Sequence, residues 1–233
     1  MSEFAKQAPR PSRVPATRVG GIVLAAGAGA RMGHRPKCLL QLDGVSLLAR
    51  QLQALSNAGI NDVVVVLGHH AERIQQEACL AQFAARTVLN LQPDTGHVSS
   101  LRVGLQALPA SFDAVLVALA DQPLINTQDV ADVVRAFANR PDGTHMLQPA
   151  VQGLPGNPVM FTRAVGQQIL AGDAHIGVRQ WQAAQPDSVC RWPTANSHYR
   201  TDVDSEEDRL AIEARTGQSL RWPADSGPPV PTL

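Results

Sequence analysis

Unbroken apolar runs alternate with periodic ones along this chain. Ile22, Val23, Leu24 and Ala25 form a short run, Asp62 to Gly68 (DVVVVLG) a β-branched one, and Asp113 to Asp121 (DAVLVALAD) a third. Runs of this kind suit strands buried on both faces of a parallel sheet. Between the first two, Val45 to Ala58 places Leu48, Leu52 and Leu55 on one helical face, and Gly59 supplies a stop. Strand, helix, strand reads as a βαβ unit. Residues 71 to 83 predict another helix, Thr87 to Asn90 a short strand, and Ser99 or Ser100 the opening of a helix. Asn126, Thr127 and Asp129 open an amphipathic helix through about Asn139. Met146 to Val151, Ser188 to Pro193 and Tyr199 to Val203 predict further strands. A last helix follows Ser205, with Leu210, Ile212 and Ala214 turned partly inward.

Composition narrows the class. A chain of 233 residues with 44% hydrophobic content supports one α/β domain around one core. The 20 basic and 20 acidic residues cancel, so the field that non-specific nucleic-acid binding needs is absent and a small-molecule partner is favoured. Cys38, Cys79 and Cys190 form neither a CxxC pair nor a zinc spacing and read as ordinary thiols of a reducing compartment. No apolar run approaches the roughly 18 residues of a membrane span, and the opening residues lack the apolar core of a signal peptide. A cytoplasmic location without membrane partners is the expectation. Residues 1–18 and 218–233 are rich in Pro and small or polar residues and read as disordered tails flanking a domain over 19–217.

Candidate chemistry concentrates in Gly20 to Lys37, GGIVLAAGAGARMGHRPK. A strand gives way to a loop with glycines at 27, 29 and 33, followed by the cations Arg31 and Lys37. Small residues let backbone N–H groups approach a polyanion, and fixed cations can hold different phosphates of one chain. The glycine spacing is one residue too long for the dinucleotide fingerprint, and no Ser or Thr follows a GK pair as a P-loop requires. At the end of the third apolar run stand Asp121 and Gln122, immediately before Pro123. The carboxyl edge of an open α/β sheet is where ligands bind, so Asp121 reads as a metal-ligating carboxylate as well as a turn cap. His69 and His70 are adjacent, and their side chains diverge too far for a metal pair. Glu206, Glu207 and Asp208 suit the first turn of a helix through the macrodipole alone.

The segment LAAGAGARMGHRPK resembles the LAAGxSxRMGxxK signature of nucleotidyltransferases with a MobA-like fold, most closely the branch that transfers CMP to the molybdenum cofactor. The resemblance extends from about Gly20 to Gly217 and implies a single three-layer Rossmann-like domain, with a mostly parallel twisted sheet and helices on both faces. It places Leu24, Ala25, Ala26, Gly27 and Gly29 against the nucleotide, Arg31 on its β/γ end and Lys37 at the α-phosphate. Asn90, Ser99 and Ser100 would lie beside the nucleotide, although Ser99 is equally an N-cap. Asp121 of LADQP and Asp204 would hold Mg2+, with Asp202 a weaker candidate. Gly156, Asn157, Pro158, Asp173 and Arg179 would form the wall for the acceptor, with Asn157 standing where relatives often carry His.

The implied reaction joins CMP from CTP to molybdenum-bound molybdopterin with release of pyrophosphate. A molybdoenzyme or its chaperone would then receive the product. A sugar or polyol phosphate acceptor, a non-catalytic cofactor-binding accessory role and, more remotely, a dehydrogenase are the alternatives.

Overall fold

Neighbouring residues of the apolar runs serve different cores. Val63, Val65 and Leu67 pack into one cluster with Leu48, Leu52, Leu55, Val130, Val133 and Phe137. Val64 and Val66 pack into a second with Leu101, Leu105, Val165, Ile169 and Trp181. Side chains alternate across a strand, so an all-apolar run between two helical layers is satisfied on both faces at once.

The computed structural model describes residues 17–78 and 80–224. In chain order the strands are β1 (Val19–Ala25), β2 (Gln41–Leu42), β3 (Val45–Ser46), β4 (Val63–Leu67), β5 (Ala85–Leu89), β6 (Ala114–Leu119), β7 (Met146–Val151), β8 (Leu154–Pro155), β9 (Val159–Thr162), β10 (Val189–Thr194) and β11 (Leu220–Arg221). The helices are α1 (Leu47–Asn57), α2 (Ala71–Glu77), α3 (His97–Ala107), α4 (Thr127–Ala138), α5 (Arg163–Ala171), α6 (Val178–Ala184) and α7 (Glu206–Thr216).

The eight-stranded main sheet runs β10-β7-β9-β6-β1-β4-β5, with β8 paired to β7. Every pair within the run from β6 to β5 is parallel, whereas β9 is antiparallel to both β6 and β7. Helices α1, α2 and α4 contribute to the first core, and α3, α5 and α6 to the second. The three-layer, mostly parallel α/β architecture expected from the sequence is the one observed. Val117 pairs with Val159, so the start of β9 lies beside the carboxyl end of β6. The loop before β9 therefore reaches the same sheet edge as the loops after β1 and β6.

A third, smaller core joins Met32, Leu40, Leu42, Leu47, Leu124, Val203, Ile212 and Leu220 beneath the glycine loop, with Trp222 packed against it. Its Leu42 and Leu220 belong to the three-stranded sheet β11-β2-β3. Leu220 is fully buried, so the expected tail boundary at residue 218 is corrected: the packed chain continues through Trp222. The expected N-terminal tail lies outside the described residues except at its last two positions, as do residues 225–233 and Cys79.

Other expectations shift locally. Tyr199 to Val203 is not a strand; residues 197–200 form a 3-10 turn and the chain then runs irregularly to α7. In α7 only Ile212 is buried, and Leu210 is exposed, because positions two apart on a helix do not share a face. The helix expected over residues 71 to 83 ends at Glu77, with a short 3-10 turn at residues 80–82.

Candidate functional site

Three segments arrive at the carboxyl edge of the sheet: the glycine loop after β1, residues 120–123 after β6, and residues 199–204 ahead of α7. The glycine loop is wound tightly on itself. Gly29 has φ 64° and its carbonyl accepts from the N–H groups of Met32 and His34, at 2.8 and 3.0 Å. A Cβ there would fall 1.9 Å from the Arg35 carbonyl oxygen, so only glycine permits this turn. From β4's end, the His70 ring nitrogen Nε2 lies 3.0 Å from the Ala28 carbonyl oxygen and fixes the middle of the loop. His69 instead faces Asp94 at 3.0 Å, so the two histidines diverge as expected.

Lys37, in a 3-10 turn after the loop, is the convergence point. Its Nζ donates to Asp121 Oδ2 and to Asp204 Oδ1, both at 2.6 Å. Arg31 Nη2 donates to the other oxygen of Asp204, Oδ2, at 2.7 Å. The Lys37 side chain is only 17% exposed while that of Arg31 is 69% exposed. One cation is thus part of the floor and the other reaches in from the rim.

The charges explain the titration behaviour. Burial works against the Lys37 ammonium, but Asp121 and Asp204 outweigh it and hold its pKa above the ordinary value. Burial alone would raise the Asp204 carboxyl, but hydrogen bonding and attraction from Lys37, aided by Arg31, bring it below the usual range. Asp202 moves the other way, pushed up by burial and then by its neighbours Asp204 and Asp121. The Cys38 thiol is pushed up to about 12 by burial, with Asp121 adding to the effect, and is no nucleophile near neutral pH.

These groups line a cavity of about 500 Å³. Leu24, Ala25, Ala26, Gly27 and Gly29 form one side of it, and Arg31, Lys37, Asp121 and Asp204 its charged end. A Cβ added to Gly27 would meet no protein atom within 4 Å, so that face of the loop is open to a ligand. Ser100, Asn157 and Arg179 line the cavity as well.

Other expected residues stand behind the lining. Asn90 is buried and its Nδ2 donates to Ser99 Oγ and Ser100 Oγ, at 2.8 and 2.9 Å, so it supports Ser100 from behind. Ser99 is not the N-cap: α3 begins at His97 after Gly96, and Ser99 Oγ turns back to Gly96 O at 2.9 Å. Gly156 packs against Tyr199, and Pro158 follows Asn157 through a cis peptide bond. Asp173 is met through its backbone, where its carbonyl accepts from Arg102 at 3.3 Å. None of Asn90, Ser99, Gly156, Pro158 and Asp173 is among the cavity-lining residues.

Pro93 and His97, which no motif singled out, also line the cavity, as does Asp202, the weaker metal candidate. His97 opens α3 directly after Gly96, whose φ is 92°. Helix α3 lies close on the sheet because Gly104 leaves no room for a side chain. A Cβ there would come 2.7 Å from Ile22 Cγ2. That close approach carries Ser100 and His97 to the sheet edge.

The donor set fits a small divalent cation. Two hard oxygen ligands converge on one point already occupied by an ammonium, and Mg2+ commonly takes one or two carboxylates and completes its shell with substrate phosphate and water. Among the described residues no group of three or more His, Cys, Asp or Glu could hold a metal by itself. None of the helices among them is long and apolar enough to cross a membrane.

Comparison with known proteins identifies the fold and the family. Residues 21–189 match the model of the MobA-like NTP transferase domain. The bifunctional protein GlmU of Mycobacterium ulcerans is 42% identical over 218 residues, covering 85% of this chain and 44% of that protein. The chain thus spans less than half the length of that relative. Rv0371c of Mycobacterium tuberculosis superimposes with a TM-score of 0.71 at 23% identity, covering 84% of this chain and 98% of that one. The 4-diphosphocytidyl-2C-methyl-D-erythritolsynthase of Anaerococcus prevotii superimposes with a TM-score of 0.67 at 17% identity, covering 86% and 96%. At these identities the structural likeness establishes the fold.

Proposed function

This chain belongs to the MobA-like NTP transferase family, and from that premise we propose that it transfers CMP from CTP to molybdenum-bound molybdopterin, releasing pyrophosphate. The observation that carries the reading is the placement of Lys37 between Asp121 and Asp204 at the mouth of the glycine loop. Residues 19 to 222 form the transferase domain in this reading, acting in the cytoplasm.

An oxygen of the acceptor phosphate attacks the α-phosphorus of CTP, the bond to the β-phosphate breaks, and pyrophosphate leaves with the bonding electrons. No protein nucleophile is needed. The site must align two anions that repel each other and offset charge on the departing group, a task for fixed cations. Asp121 and Asp204 would hold Mg2+, which when bound would neutralise phosphate oxygens. Lys37 would exchange a carboxylate for the α-phosphate, and Arg31 on the rim would take the β/γ end. The glycine loop from Leu24 to Gly29 would contact base, ribose and phosphate, with Ser100 on the facing wall. Asn157 and Arg179 would meet the acceptor, and Gly156, Pro158 and Asp173 would support that wall without touching it.

A polyol phosphate acceptor is the second reading, favoured by the name of the Anaerococcus prevotii protein of the same fold. Incubating the protein with CTP, Mg2+ and each acceptor in turn tests both. Pyrophosphate released only with the molybdenum-bearing acceptor supports the first reading, release only with a polyol phosphate supports the second, and release with neither leaves a binding role.

A further inference from the structure

One backbone carbonyl ties together the segments that carry the site. The carbonyl oxygen of Tyr199 accepts from the backbone N–H of Asn157 at 2.8 Å and from the side-chain Nε2 of Gln122 at 3.1 Å. Nearby, Val203 N donates to Asp121 O at 3.0 Å. The residue after Asp121, the loop bearing Asn157 and the stretch leading to Asp204 thus meet at a single point.

That point is held firmly. Tyr199 is 1% exposed, its hydroxyl donates to Asp129 O at 2.9 Å, and its ring meets Trp192 edge-on. A Cβ on Gly156 would lie 2.7 Å from the same carbonyl oxygen, so the loop below has no slack. Gln122 is equally buried, at 2% exposure, and its backbone carbonyl accepts from Gln51 Nε2 of α1 at 2.9 Å.

The side-chain amide of Gln122 can face only one way. Turned over, it would set Oε1 against the Tyr199 oxygen, acceptor against acceptor. In the observed orientation Oε1 is buried with no hydrogen-bond partner among the described residues. An unmet buried acceptor loses its hydration with nothing to replace it. An apolar residue of the same length would avoid that cost, so stability alone does not account for an amide here.

We infer that Gln122 is a positioning residue, whose bond to the Tyr199 carbonyl sets the separation of the Asp121 and Asp204 carboxylates and keeps Asn157 in register with them. The inference rests on the reading that those carboxylates hold the divalent ion. Groups one step behind a metal ligand typically change metal affinity or activity by about 10- to 100-fold when removed.

The test is titration of the whole chain with Mn2+, with and without CTP and in the absence of acceptor, following free Mn2+ by electron paramagnetic resonance alongside the thermal midpoint. Gln122→Met keeps length and volume, removes the donor and also removes the unmet acceptor. It is expected to weaken Mn2+ binding about 10-fold or more while melting near wild type. Gln51→Met removes a buried amide bond on the other side of Gln122 but spares the Tyr199 bond, and is expected to hold wild-type Mn2+ affinity. Wild-type affinity in Gln122→Met, or equal weakening in both variants, overturns the inference. Should Gln122→Met fail to fold, Gln122→Asn, whose shorter amide falls short of Tyr199 O, is read in the same way. Asp121→Asn separates the two levels: if it loses affinity while Gln122→Met does not, only the inference falls. If Asp121→Asn also binds as wild type, the metal assignment fails and takes the inference with it.

Discussion

The ammonium of Lys37 stands 2.6 Å from Asp121 Oδ2, across 84 positions of chain, and its second carboxylate partner is Asp204 at the same distance. The glycine loop and the carboxyl edge of β6 are therefore joined by charge. On the proposed reading this ammonium exchanges a carboxylate for a phosphate and so contributes differently to ground and transition states.

Lys37→Met is expected to lower kcat more than it raises KM for CTP, because on the proposed reading the ammonium meets charge that develops at the α-phosphate. The loss should be about 10²- to 10³-fold, the range for one preorganised electrostatic group. Arg31→Met, removing an exposed side chain, should act mainly on KM. Steady-state kinetics of pyrophosphate release check both, and a Lys37→Met effect confined to KM would remove that residue from the α-phosphate.

The same variant gives a pH signature in stability. The folded-state pKa of Asp204 is lowered, so its stabilising contribution is present above the ordinary carboxylate range and is lost as pH falls through the lowered value. That of Lys37 is raised, so its contribution is present below the ordinary 10.5 and is lost as pH rises through the raised value. The stability gap between wild type and Lys37→Met should be widest near neutrality and close at both extremes. Urea unfolding across pH measures it, and a gap that does not vary with pH would show that the pair is not what the mutation removes.

Asp208 does more than suit a helix dipole. Its Oδ2 accepts from the backbone N–H of Asp204 at 3.0 Å and of Ser205 at 2.8 Å, while Ser205 caps the helix. Asp208→Ala should cost about 0.5–2 kcal/mol, the range for a lost cap, and should also lower kcat because Asp204 is less well held. Asp204→Ala should lose far more activity. Equal stability loss without any change in kcat for Asp208→Ala would confine that residue to the cap.

Ala26 is expected to contribute to the choice of base. It lines the cavity, and the resemblance sets LAAG for cytidine transfer against LAGG for guanosine transfer. Steric exclusion by a methyl group gives about 1–3 kcal/mol of discrimination. The wild type should prefer CTP to GTP, and Ala26→Gly should narrow that preference without reversing it. A competition assay with both nucleotides decides the matter, and a wild type that uses GTP as readily would end the cytidylyl assignment.

Much of the architecture was legible because the physics was local. The β-branched run at residues 63–67 could only be satisfied between two layers, and the apolar face of α1 had to meet it. Arg31 and Lys37 were picked out by the loop signature and Asp121 by its place at the sheet edge, whereas Asp204 came only from the family resemblance. What stayed hidden was set by tertiary contact. Ser99 looked like a cap, but Gly96 starts the helix earlier and the hydroxyl turns back to the Gly96 carbonyl. Tyr199 to Val203 looked like a strand, but it is shaped by the bonds its backbone makes to Gln122, Asn157 and Asp121. Leu220 and Arg221 sit in a proline-rich context, and their two-residue pairing with β2 leaves no periodicity to read.

Because β9 runs against its neighbours, the walls of the cleft come from chain travelling in opposite directions and are joined at the Tyr199 carbonyl. On the proposed function residues 19 to 121 bring the nucleotide side, whereas 152 to 158 enter from the far end of a reversed strand. On the proposed reading, substitutions in that short entry loop could retarget the acceptor without touching the triphosphate grip. Chimaeras exchanging only this loop between relatives should inherit acceptor choice from one parent and nucleotide choice from the other. The exchange would have to preserve a glycine at position 156 and a main-chain donor at 157, since both meet the Tyr199 carbonyl.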